Sequence, residues 1–359
     1  MSFDSAAFLR RAIGTPSHDD VSEMRSLLVS ELLDLGFRPE MDDAGNVRAT
    51  RGSATSDGTH IVLNTHLDTV HPHIGYQRDG AIIRGRGACD AKGSLAAMVA
   101  AFCAVDIDDG QVTLAVTPNE ETSQHGGAYL GEHLAADGYI VGEPTGLDVC
   151  IAARGNFGGY ISIVGESAHA STPGDGTNPL RVVGDVLDVL DRYDDNGGLG
   201  SHKVLGMPDL EPTQVEAGGP LNQIPRVCTI GFDRRTVPPE RIEQFVADLE
   251  SYLIESLPSS YHYEVLPAYP ESPTPEAFAT SPDSPLVQTL ASVSGGEVRP
   301  FTAATEASYF ADTAPTVVFG PGVLEDDDGP VAHSEREYVR LSAVEDATAI
   351  LCETLERVF

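Results

Sequence analysis

The amino-acid sequence predicts an α/β fold with a mostly parallel sheet, because short apolar segments of β character alternate with helical ones. The apolar segments are residues 61–63, 112–116 and 139–141, and a helix with apolar positions from 95 to 102 lies between the first two. Each segment is followed by a polar residue that can bind a metal ion. Because ligands of parallel sheets lie beyond the carboxyl ends of the strands, we expect a site at that edge.

One helix is predicted before the first strand. Its apolar residues recur at helical spacing and are Val21, Met24, Leu28, Leu32 and Leu35. Gly36 follows them directly and favours the left-handed conformation in which many helices end. We therefore expect the helix to end there.

The middle of the chain has a different pattern. Residues 160–164, 227–232 and 261–266 are strand-like, and two helices lie between them. The predicted inward faces of these helices are Leu180, Val183, Leu187 and Leu190 in the first, and Ile242, Phe245, Leu249 and Leu253 in the second. The order strand-helix-strand-strand-helix-strand indicates a small α+β sandwich inserted into the first domain.

The domain limits follow from this change of pattern. The Pro-rich residues 267–275 resemble a return linker, and residues 284–359 resume the α/β pattern and end in a helix. We predict a metal-binding catalytic domain from residues 1–156 and 271–359, and an inserted domain from residues 157–270. The chain of 359 residues is long enough for two cores.

The charge balance excludes several partners. Asp and Glu number 55 against 22 Lys and Arg, which gives a formal net charge of -33. Nucleic acid and anionic membrane surfaces bind clustered cations, so neither is an expected partner. The acidic residues are spread along the chain and read as a solvated surface, which suits a salt-rich cytoplasm where screening relieves self-repulsion. We hypothesise a salt-adapted, halophilic source.

The cysteines and the apolar segments indicate a cytoplasmic protein. Five cysteines at wide spacing, without a Cys-x-x-Cys pair, make a disulfide framework or a thiolate zinc site improbable. Residues 1–20 have no apolar core of signal-peptide length, and the sequence has no run of about 18 apolar residues. We expect a cytoplasmic location.

Polar residues near the first predicted strand can carry metal chemistry. His66 and Asp68 are two positions apart on an extended segment, so their side chains face the same way, and a carboxylate can fix the tautomer of a metal-bound imidazole. A polar strand end without a ligand is the alternative. Asp90 lies in a glycine-rich segment before a helix, so it is either the helix N-cap or a carboxylate that bridges two metal ions.

Two adjacent carboxylates follow the second predicted strand, Glu120 and Glu121. On an extended end they point in different directions, so one can bind a metal ion while the other moves the protons of an activated water molecule. An exposed acidic turn is the alternative. Glu143 follows the third strand, and His333 lies far downstream. Such oxygen and imidazole donors without thiolate fit Zn(II), Co(II) or Mn(II).

An ordered series of short motifs resembles the M20 metallopeptidase family. The motifs are Asn-Thr-His-Leu-Asp-Thr-Val at 64–70, Gly-Arg-Gly at 85–87, Asp-Ala-Lys-Gly at 90–93, Glu-Glu at 120–121, Gly-Glu-Pro-Thr at 142–145, Ser-Ala-His-Ala-Ser at 167–171, Asn-Gln-Ile-Pro at 222–225, Asp-Arg-Arg at 233–235 and Ala-His-Ser at 332–334. The family includes acetylornithine deacetylase, succinyl-diaminopimelate desuccinylase and carboxypeptidase G-type enzymes. The resemblance covers essentially the whole chain.

The resemblance implies a catalytic domain of the zinc-aminopeptidase type that holds two divalent metal ions, with Zn(II) as the expected metal. The implied ligands are His66 and Glu143 at one ion, Glu121 and His333 at the other, and Asp90 as the bridge. Asp68 would orient the first histidine. Glu120 would be the general base that deprotonates the attacking water and later protonates the leaving amine.

The inserted domain is implied to be a ferredoxin-like lid and dimerisation domain. His169 would stabilise the oxyanion of the intermediate, and in dimeric relatives this histidine comes from the other subunit, so we expect a homodimer. Asn222 and Arg235 would hold the substrate, and a guanidinium suits a carboxylate. Arg234 is the alternative to Arg235.

Within the family, Cys89-Asp90 and residues 142–145, 305–307 and 320–322 look most like the acetylornithine deacetylase branch. We therefore predict an amidohydrolase that removes an acetyl or succinyl group from an amino acid such as ornithine, lysine or diaminopimelate. A metallo-dipeptidase or carboxypeptidase of the same family is the alternative. A protein that keeps the fold and binds a ligand without catalysis is the third hypothesis. The intact general base and ligand set argue against it.

Overall fold

The computed structural model describes residues 3–53, 58–107 and 109–359. These residues divide into two compact units. The larger unit is Met1–Ala152, Ala279–Phe301 and Thr305–Phe359, and the smaller is Ala153–Phe278 with Thr302–Ala304. The predicted domain limits at residues 157 and 270 remain a prediction.

The helices and strands of the described chain have the following bounds. The helices are α1 Ser5–Gly14, α2 Ser22–Asp34, α3 Lys92–Ala104, α4 His125–His133, α5 Val183–Leu190, α6 Tyr193–Asn196, α7 Ile242–Ser256, α8 Pro285–Ser294 and α9 Leu341–Val358. The strands are β1 Glu40–Met41, β2 Val47–Ser53, β3 Thr59–His66, β4 Gln77–Asp79, β5 Ile82–Arg84, β6 Gly110–Thr117, β7 Gly138–Val141, β8 Val149–Ala153, β9 Phe157–Val164, β10 Ala168–His169, β11 Asp209–Ala217, β12 Gln223–Ile224, β13 Val227–Arg235, β14 His262–Pro267, β15 Phe278–Ala279, β16 Val298–Pro300, β17 Thr316–Val318, β18 Glu325–Asp326, β19 Gly329–Pro330 and β20 Tyr338–Arg340. No helix of the described chain is long and apolar enough to span a bilayer.

The main sheet of the larger unit has a parallel centre. Its order is β1-β2-β6-β3-β7-β17-β8-β15, with β16 paired to β8. Strands β6, β3, β7 and β17 run parallel to one another, and β2 runs antiparallel to β6. The predicted α/β fold with a mostly parallel sheet is confirmed, and the three predicted strands are the neighbours β3, β6 and β7.

Helix packing in the larger unit follows from the sequence. Helix α3 is rich in alanine and is buried on almost all sides, as expected of a helix that is apolar all round. It packs against α1 and α9. Helix α2 buries Met24, Leu28 and Leu32, and Gly36 beyond its end has a φ of 89°. That left-handed conformation explains why a glycine ends the predicted helix there.

The smaller unit is an α+β sandwich. Its four-stranded antiparallel sheet has the order β11-β13-β9-β14, and residues of α5 and α7 complete its hydrophobic core. Burial alternates along β9, as expected of a strand with one face in the core. The chain order β9-α5-β11-β13-α7-β14 gives strand-helix-strand-strand-helix-strand, although only three of these four strands were located in the sequence.

Two details of the prediction for this unit were wrong. The strand β11, residues Asp209–Ala217, was not recognised, because most of its side chains are exposed and it has no apolar face. The predicted inward face of the first helix was wrong at Leu180, whereas Val183, Leu187 and Leu190 pack against the core as predicted. Residues 179–181 form a short 3-10 turn, so α5 begins only at residue 183 and buries Val186, Val189 and Leu190, while Leu180 is 47% exposed.

Candidate metal centre

The carboxyl ends of three neighbouring parallel strands form the edge of the site. Strand β3 ends at His66, and Glu120 and Glu121 follow the end of β6. Glu143 follows the end of β7. Because β6, β3 and β7 are adjacent in the sheet, residues far apart in the chain are brought to one edge, as expected of open parallel sheets.

Asp90 lies between two imidazole rings. Its Oδ1 is 3.1 Å from Nε2 of His66, and its Oδ2 is 3.1 Å from Nε2 of His333. The N-cap of α3 is Ala91, without a side-chain cap bond, so the alternative role of Asp90 as the helix cap is wrong. Its two oxygens instead face two different histidines, which is the arrangement that a bridging carboxylate requires.

His333 also contacts Glu121. Its Nε2 is 3.0 Å from Oε1 of Glu121, and donor atoms of His66, Asp90 and Glu121 lie within 4.8 Å of one another. The backbone of His333 has a φ of 60°, a left-handed conformation that is uncommon outside glycine and is often found at functional sites. Four of the five predicted ligands therefore form one contact network.

Asp68 contacts both the His66 ring and the backbone of Glu120 and Glu121. Its backbone carbonyl is 3.0 Å from Nδ1 of His66, and its Oδ1 is 3.5 Å from the same nitrogen. The two carboxylate oxygens accept the backbone N–H groups of Glu120 and Glu121, each at 3.0 Å. Asp68 thus orients the ring, as a metal-bound histidine needs, and also fixes the backbone that carries the paired glutamates.

The segment that carries Glu120 and Glu121 is a turn and not an extended strand end, so that part of the prediction was wrong. The reason is the two N–H bonds to Asp68, which draw the backbone back toward β3. The alternative of an exposed acidic turn is also wrong, because Glu120 is only 9% exposed and the Glu121 side chain 8%. Burial of adjacent carboxylates is costly without compensating cations.

Glu143 is the fifth predicted ligand. It is 5% exposed, and the hydroxyl of Thr305 lies 3.5 Å from its Oε1. Burial raises the pKa of Glu143 well above its usual value, and the nearby charges of Asp90 and Glu121 add to that rise. Glu143 therefore belongs to the same group of buried carboxylates as Asp90 and Glu121.

Burial and hydrogen bonds within the cluster shift the pKa values of its members. Burial opposes charge on His66, but hydrogen bonds to Asp68 and Asp90 outweigh it and raise the pKa of the ring well above its usual value. Hydrogen bonds to Asp90 and Glu121 raise the pKa of His333 to about 10. Burial works against charge on Asp90, yet its hydrogen bonds with the two rings lower its pKa.

The donor set fits two divalent cations. Three carboxylates and two imidazoles converge without a thiolate, which suits Zn(II), Co(II) or Mn(II). Burial raises the pKa of Glu120 well above its usual value, as do neighbouring carboxylates. A site that forces protons onto its own carboxylates stabilises cations that replace those protons.

A buried ion pair behind the cluster was missed by the sequence reasoning. Arg86 donates from Nη1 to Oε2 of Glu337 at 2.6 Å, and also donates to the backbone carbonyls of His333 and Ser334. Oε1 of Glu337 accepts the backbone N–H of Asp90 at 3.2 Å. The pair thus fixes the backbone of two predicted ligands. In the sequence, Glu337 is an acidic residue four positions after His333, and nothing there distinguishes it from an exposed acid.

Two other buried charged residues were also missed. Glu306 accepts a hydrogen bond from the hydroxyl of Thr117 at 2.8 Å, and burial raises its pKa to about 7. Lys92 donates to the backbone carbonyls of Ala12 and Thr15, and burial lowers its pKa to about 7. Both lie in motifs that the sequence reasoning quoted, but neither was assigned a role.

The remaining predicted residues lie in the smaller unit. Pairing of β10 with β12 places His169 beside Asn222, with Nε2 of the ring 3.4 Å from the amide nitrogen. Nδ1 of His169 accepts the backbone N–H of Ser171 at 3.1 Å. Two motifs that are far apart in the sequence therefore meet.

Arg234 and Arg235 have different environments because they lie on opposite faces of β13. Arg234 is fully buried and donates to Asp194 and to Glu240. The side chain of Arg235 is 40% exposed and pairs with Asp233. Arg234 is thus committed to the interior of the smaller unit, whereas Arg235 remains accessible.

The sequence profile of peptidase family M20/M25/M40 matches residues 62–357. The chain belongs to this family and is a metal-dependent hydrolase of amide bonds. Among its relatives, the acetylornithine deacetylase of Proteus mirabilis is 27% identical in an alignment that covers 97% of this chain and 95% of that protein.

Solved structures share the fold. Aminopeptidase PepT of Bacillus cereus has a TM-score of 0.77 at 17% identity, over 99% of both chains. A dinuclear metal-binding peptidase of the M20 family from Bacillus subtilis has a TM-score of 0.72 at 13% identity, over 99% of this chain and 97% of that one. These likenesses agree with the mixed α/β architecture with a mainly parallel central sheet.

Proposed function

We propose that the protein removes an acetyl or succinyl group from the amine of an amino acid such as ornithine, lysine or diaminopimelate. The observation that carries the proposal is Glu120, a buried carboxylate next to a cluster of metal donors. A binding protein needs no such group. The similarity to an acetylornithine deacetylase along nearly the whole chain supports an acylated amino acid as the substrate.

The proposed ligands are the five residues of the sequence prediction. They are His66 and Glu143 at one ion, Glu121 and His333 at the other, and Asp90 between them. Two divalent ions, which we propose to be Zn(II), with Co(II) or Mn(II) as alternatives, would polarise the amide carbonyl and lower the pKa of the attacking water. Asp68 would keep the first histidine in one tautomer.

Glu120 is the proposed general base and acid. Asp68 fixes the backbone of Glu120. Within the described residues the Glu120 side chain makes no hydrogen bond, so its carboxylate is available for proton transfer. It would take the proton of the attacking water and give a proton to the amine as that amine leaves. One group can do both, because the acid formed in the first step is what the second step needs.

Three residues of the smaller unit are proposed to bind substrate. His169 would stabilise the oxygen that becomes negative on the attacked carbonyl. Asn222 would contact the same part of the substrate. Arg235 would hold the substrate carboxylate, since its guanidinium is accessible while that of Arg234 is buried against two carboxylates.

We also propose that the protein is a cytoplasmic homodimer joined through the smaller unit, in which His169 acts on the partner's substrate. Light scattering at high salt tests this assembly. A fully active monomer would contradict the action in trans, without affecting the assignment of the metal ligands.

The experiment that tests the function is a substrate panel. N-acetylornithine, N-acetyllysine, N-succinyl-diaminopimelate and a set of small dipeptides are offered to the protein at high salt with Zn(II), Co(II) or Mn(II). We expect the acylated amino acids to give the highest kcat/KM. Faster cleavage of dipeptides would favour the alternative, a metallo-dipeptidase or carboxypeptidase. Binding of these compounds without turnover, with both ions present, would contradict both enzyme functions.

A further inference from the structure

A second group of metal-binding side chains lies in the larger unit and uses none of the residues of the candidate metal centre. His18 and Asp19 come from the segment between α1 and α2, and His71 comes from the segment after β3. One donor atom of each lies within 4.8 Å of the donor atoms of the other two. None of the three has a part in the proposed hydrolysis.

The carboxylate of Asp19 lies between two imidazole nitrogens. Its Oδ1 is 2.7 Å from Nε2 of His71, and its Oδ2 is 3.4 Å from Nε2 of His18. The two rings meet edge to face with centroids 4.2 Å apart. A single shared proton explains one of these contacts, but it does not explain why two imidazole nitrogens converge on one carboxylate.

The backbone around the cluster is held in place. The N–H of Thr69 donates to the carbonyl of Ser17 at 3.3 Å, and this bond joins the two segments beside the cluster. The ring of His73 is parallel to that of His18, with centroids 6.2 Å apart. The side chain of His18 is 17% exposed, whereas those of His71 and Asp19 are 65% and 74% exposed and remain accessible.

Neighbouring Asp20 has a different role. Its Oδ1 accepts both the backbone N–H and the hydroxyl of Ser22, which commits it to the start of α2. The side chain of Asp19 is 74% exposed, and its two contacts in this cluster are the two rings. Within this acidic segment, Asp19 is therefore the carboxylate that can bind a cation.

We propose that His18, Asp19 and His71 bind a third divalent transition-metal ion, which links the two segments. Two imidazoles and one carboxylate suit Zn(II), Ni(II) or Cu(II) and are too nitrogen-rich for Mg(II) or Ca(II). Three protein ligands leave a fourth position for water, as in open zinc sites. The strongly negative net charge of the protein raises the local concentration of such cations.

The test counts bound ions with Zn(II) as the probe. The full-length protein and its variants His71→Ala and Asp19→Asn are dialysed against Zn(II) in excess and analysed for metal. We expect each variant to retain one ion fewer per chain than the unaltered protein. The matched control is His133→Ala, because that exposed histidine contacts Tyr129 in its own helix and belongs to neither group of metal-binding side chains, and the metal count of this variant should not change.

The same comparison in a Glu121→Ala background separates this site from the candidate metal centre. The loss of one ion on replacing His71 should persist there, and the melting temperature should rise less on addition of Zn(II) than in the His133→Ala control. Equal metal counts with and without His71 would overturn the proposal, as would a loss that disappears in the Glu121→Ala background. Neither result depends on whether the protein hydrolyses its proposed substrate.

Discussion

The two units bury polar clusters of opposite character. In the smaller unit, Arg234 is buried against two carboxylates, Asp194 and Glu240, and its guanidinium also lies over the rings of Tyr193 and Phe245. Each of the four oxygens of these two carboxylates contacts a guanidinium nitrogen of Arg234. In the larger unit, six buried or nearly buried carboxylates surround two imidazoles. The acids are Asp68, Asp90, Glu120, Glu121, Glu143 and Glu306.

The difference shows how a structural cluster can be told from a functional one. A buried charge is costly unless it is paired, so a cluster that only supports the fold is balanced by its own residues. An unbalanced cluster persists because something from outside completes it. The excess of carboxylates in the larger unit is matched by the cations that its family of metal-dependent hydrolases binds.

The largest expected effect separates the two adjacent glutamates of the unbalanced cluster. Glu120→Ala should keep both metal ions and lower kcat by about 10²–10⁴-fold, because proton transfer is made in the transition state. Glu121→Ala, the matched control, should lose or loosen a metal ion. Metal analysis beside steady-state kinetics measures both. If the Glu120 variant lost metal and the Glu121 variant kept it, the two assignments would be exchanged.

In the cluster around Arg234, substitutions should lower the stability of the fold. Arg234→Ala leaves Glu240 buried and Asp194 partly buried without their cationic partner, and should lower the free energy of unfolding by about 3–5 kcal/mol. Arg235→Ala removes an accessible guanidinium and should change stability by no more than about 0.5 kcal/mol, while raising KM for the proposed substrates. Denaturant unfolding and kinetics of the two variants test this. Equal stability losses would show that Arg234 is not the structural member of the pair.

Glu337 lies between these extremes, because it is paired with Arg86 but supports metal ligands. Glu337→Gln removes the charge that holds Arg86 and weakens the support of the Asp90 backbone, so affinity for metal should fall about 10–100-fold. Competition with a chromophoric chelator measures it. The control is Glu335→Gln, an exposed neighbour whose loss should leave metal affinity unchanged. Unaltered affinity in the Glu337 variant would make the ion pair a purely structural element.

Metal-free and metal-loaded protein should respond to pH with opposite signs. The raised pKa of His333 stabilises the metal-free fold fully below the ordinary histidine pKa of about 6.5, and that contribution is lost as the pH rises toward about 10. Buried Glu120 and Glu143 have raised pKa values as well and act in the same direction. Metal binding instead strengthens as the ligands lose protons. Urea midpoints with EDTA and with Zn(II) test this, and parallel slopes would contradict it.

The smallest expected effect per residue concerns the exposed acids, which lie outside both clusters. We propose that the protein is adapted to salt, since screening relieves repulsion within a chain of net charge -33. The melting temperature should therefore rise from dilute buffer to multimolar KCl. The same series in Glu121→Ala should show the same rise, because the candidate centre does not cause it. Equal melting temperatures at low and high salt would contradict the adaptation.

Much of the fold could be predicted, because strands buried on both faces and amphipathic helices leave direct patterns in the sequence. The three apolar runs correspond to β3, β6 and β7, and the inward face of α7 was predicted residue for residue. Strand β11 could not be found in this way, since a largely exposed strand buries too little to show a period.

The contacts of the site could be predicted only where a motif carried them. His66 and Asp90 stood out through their neighbours in the sequence. Glu337 did not, because among 55 acidic residues nothing local distinguishes one that becomes buried. Likewise, the choice between Arg234 and Arg235 depends on which face of β13 meets the core, and that is set by tertiary packing.

The contacts of Asp68 determine which neighbouring positions can change during evolution. Asp68 holds the Glu120 position through the backbone N–H, which every residue except proline supplies, and it leaves the side chain there unrestrained. Natural selection can therefore change residue 120 without disturbing either the neighbouring ligand or the histidine that Asp68 orients. Under the proposed role of Glu120, a single codon change at that position would turn a hydrolase into a metal-loaded receptor for its former substrate. Asp68 itself has no such freedom, because any replacement acts on the imidazole and on both glutamates at once.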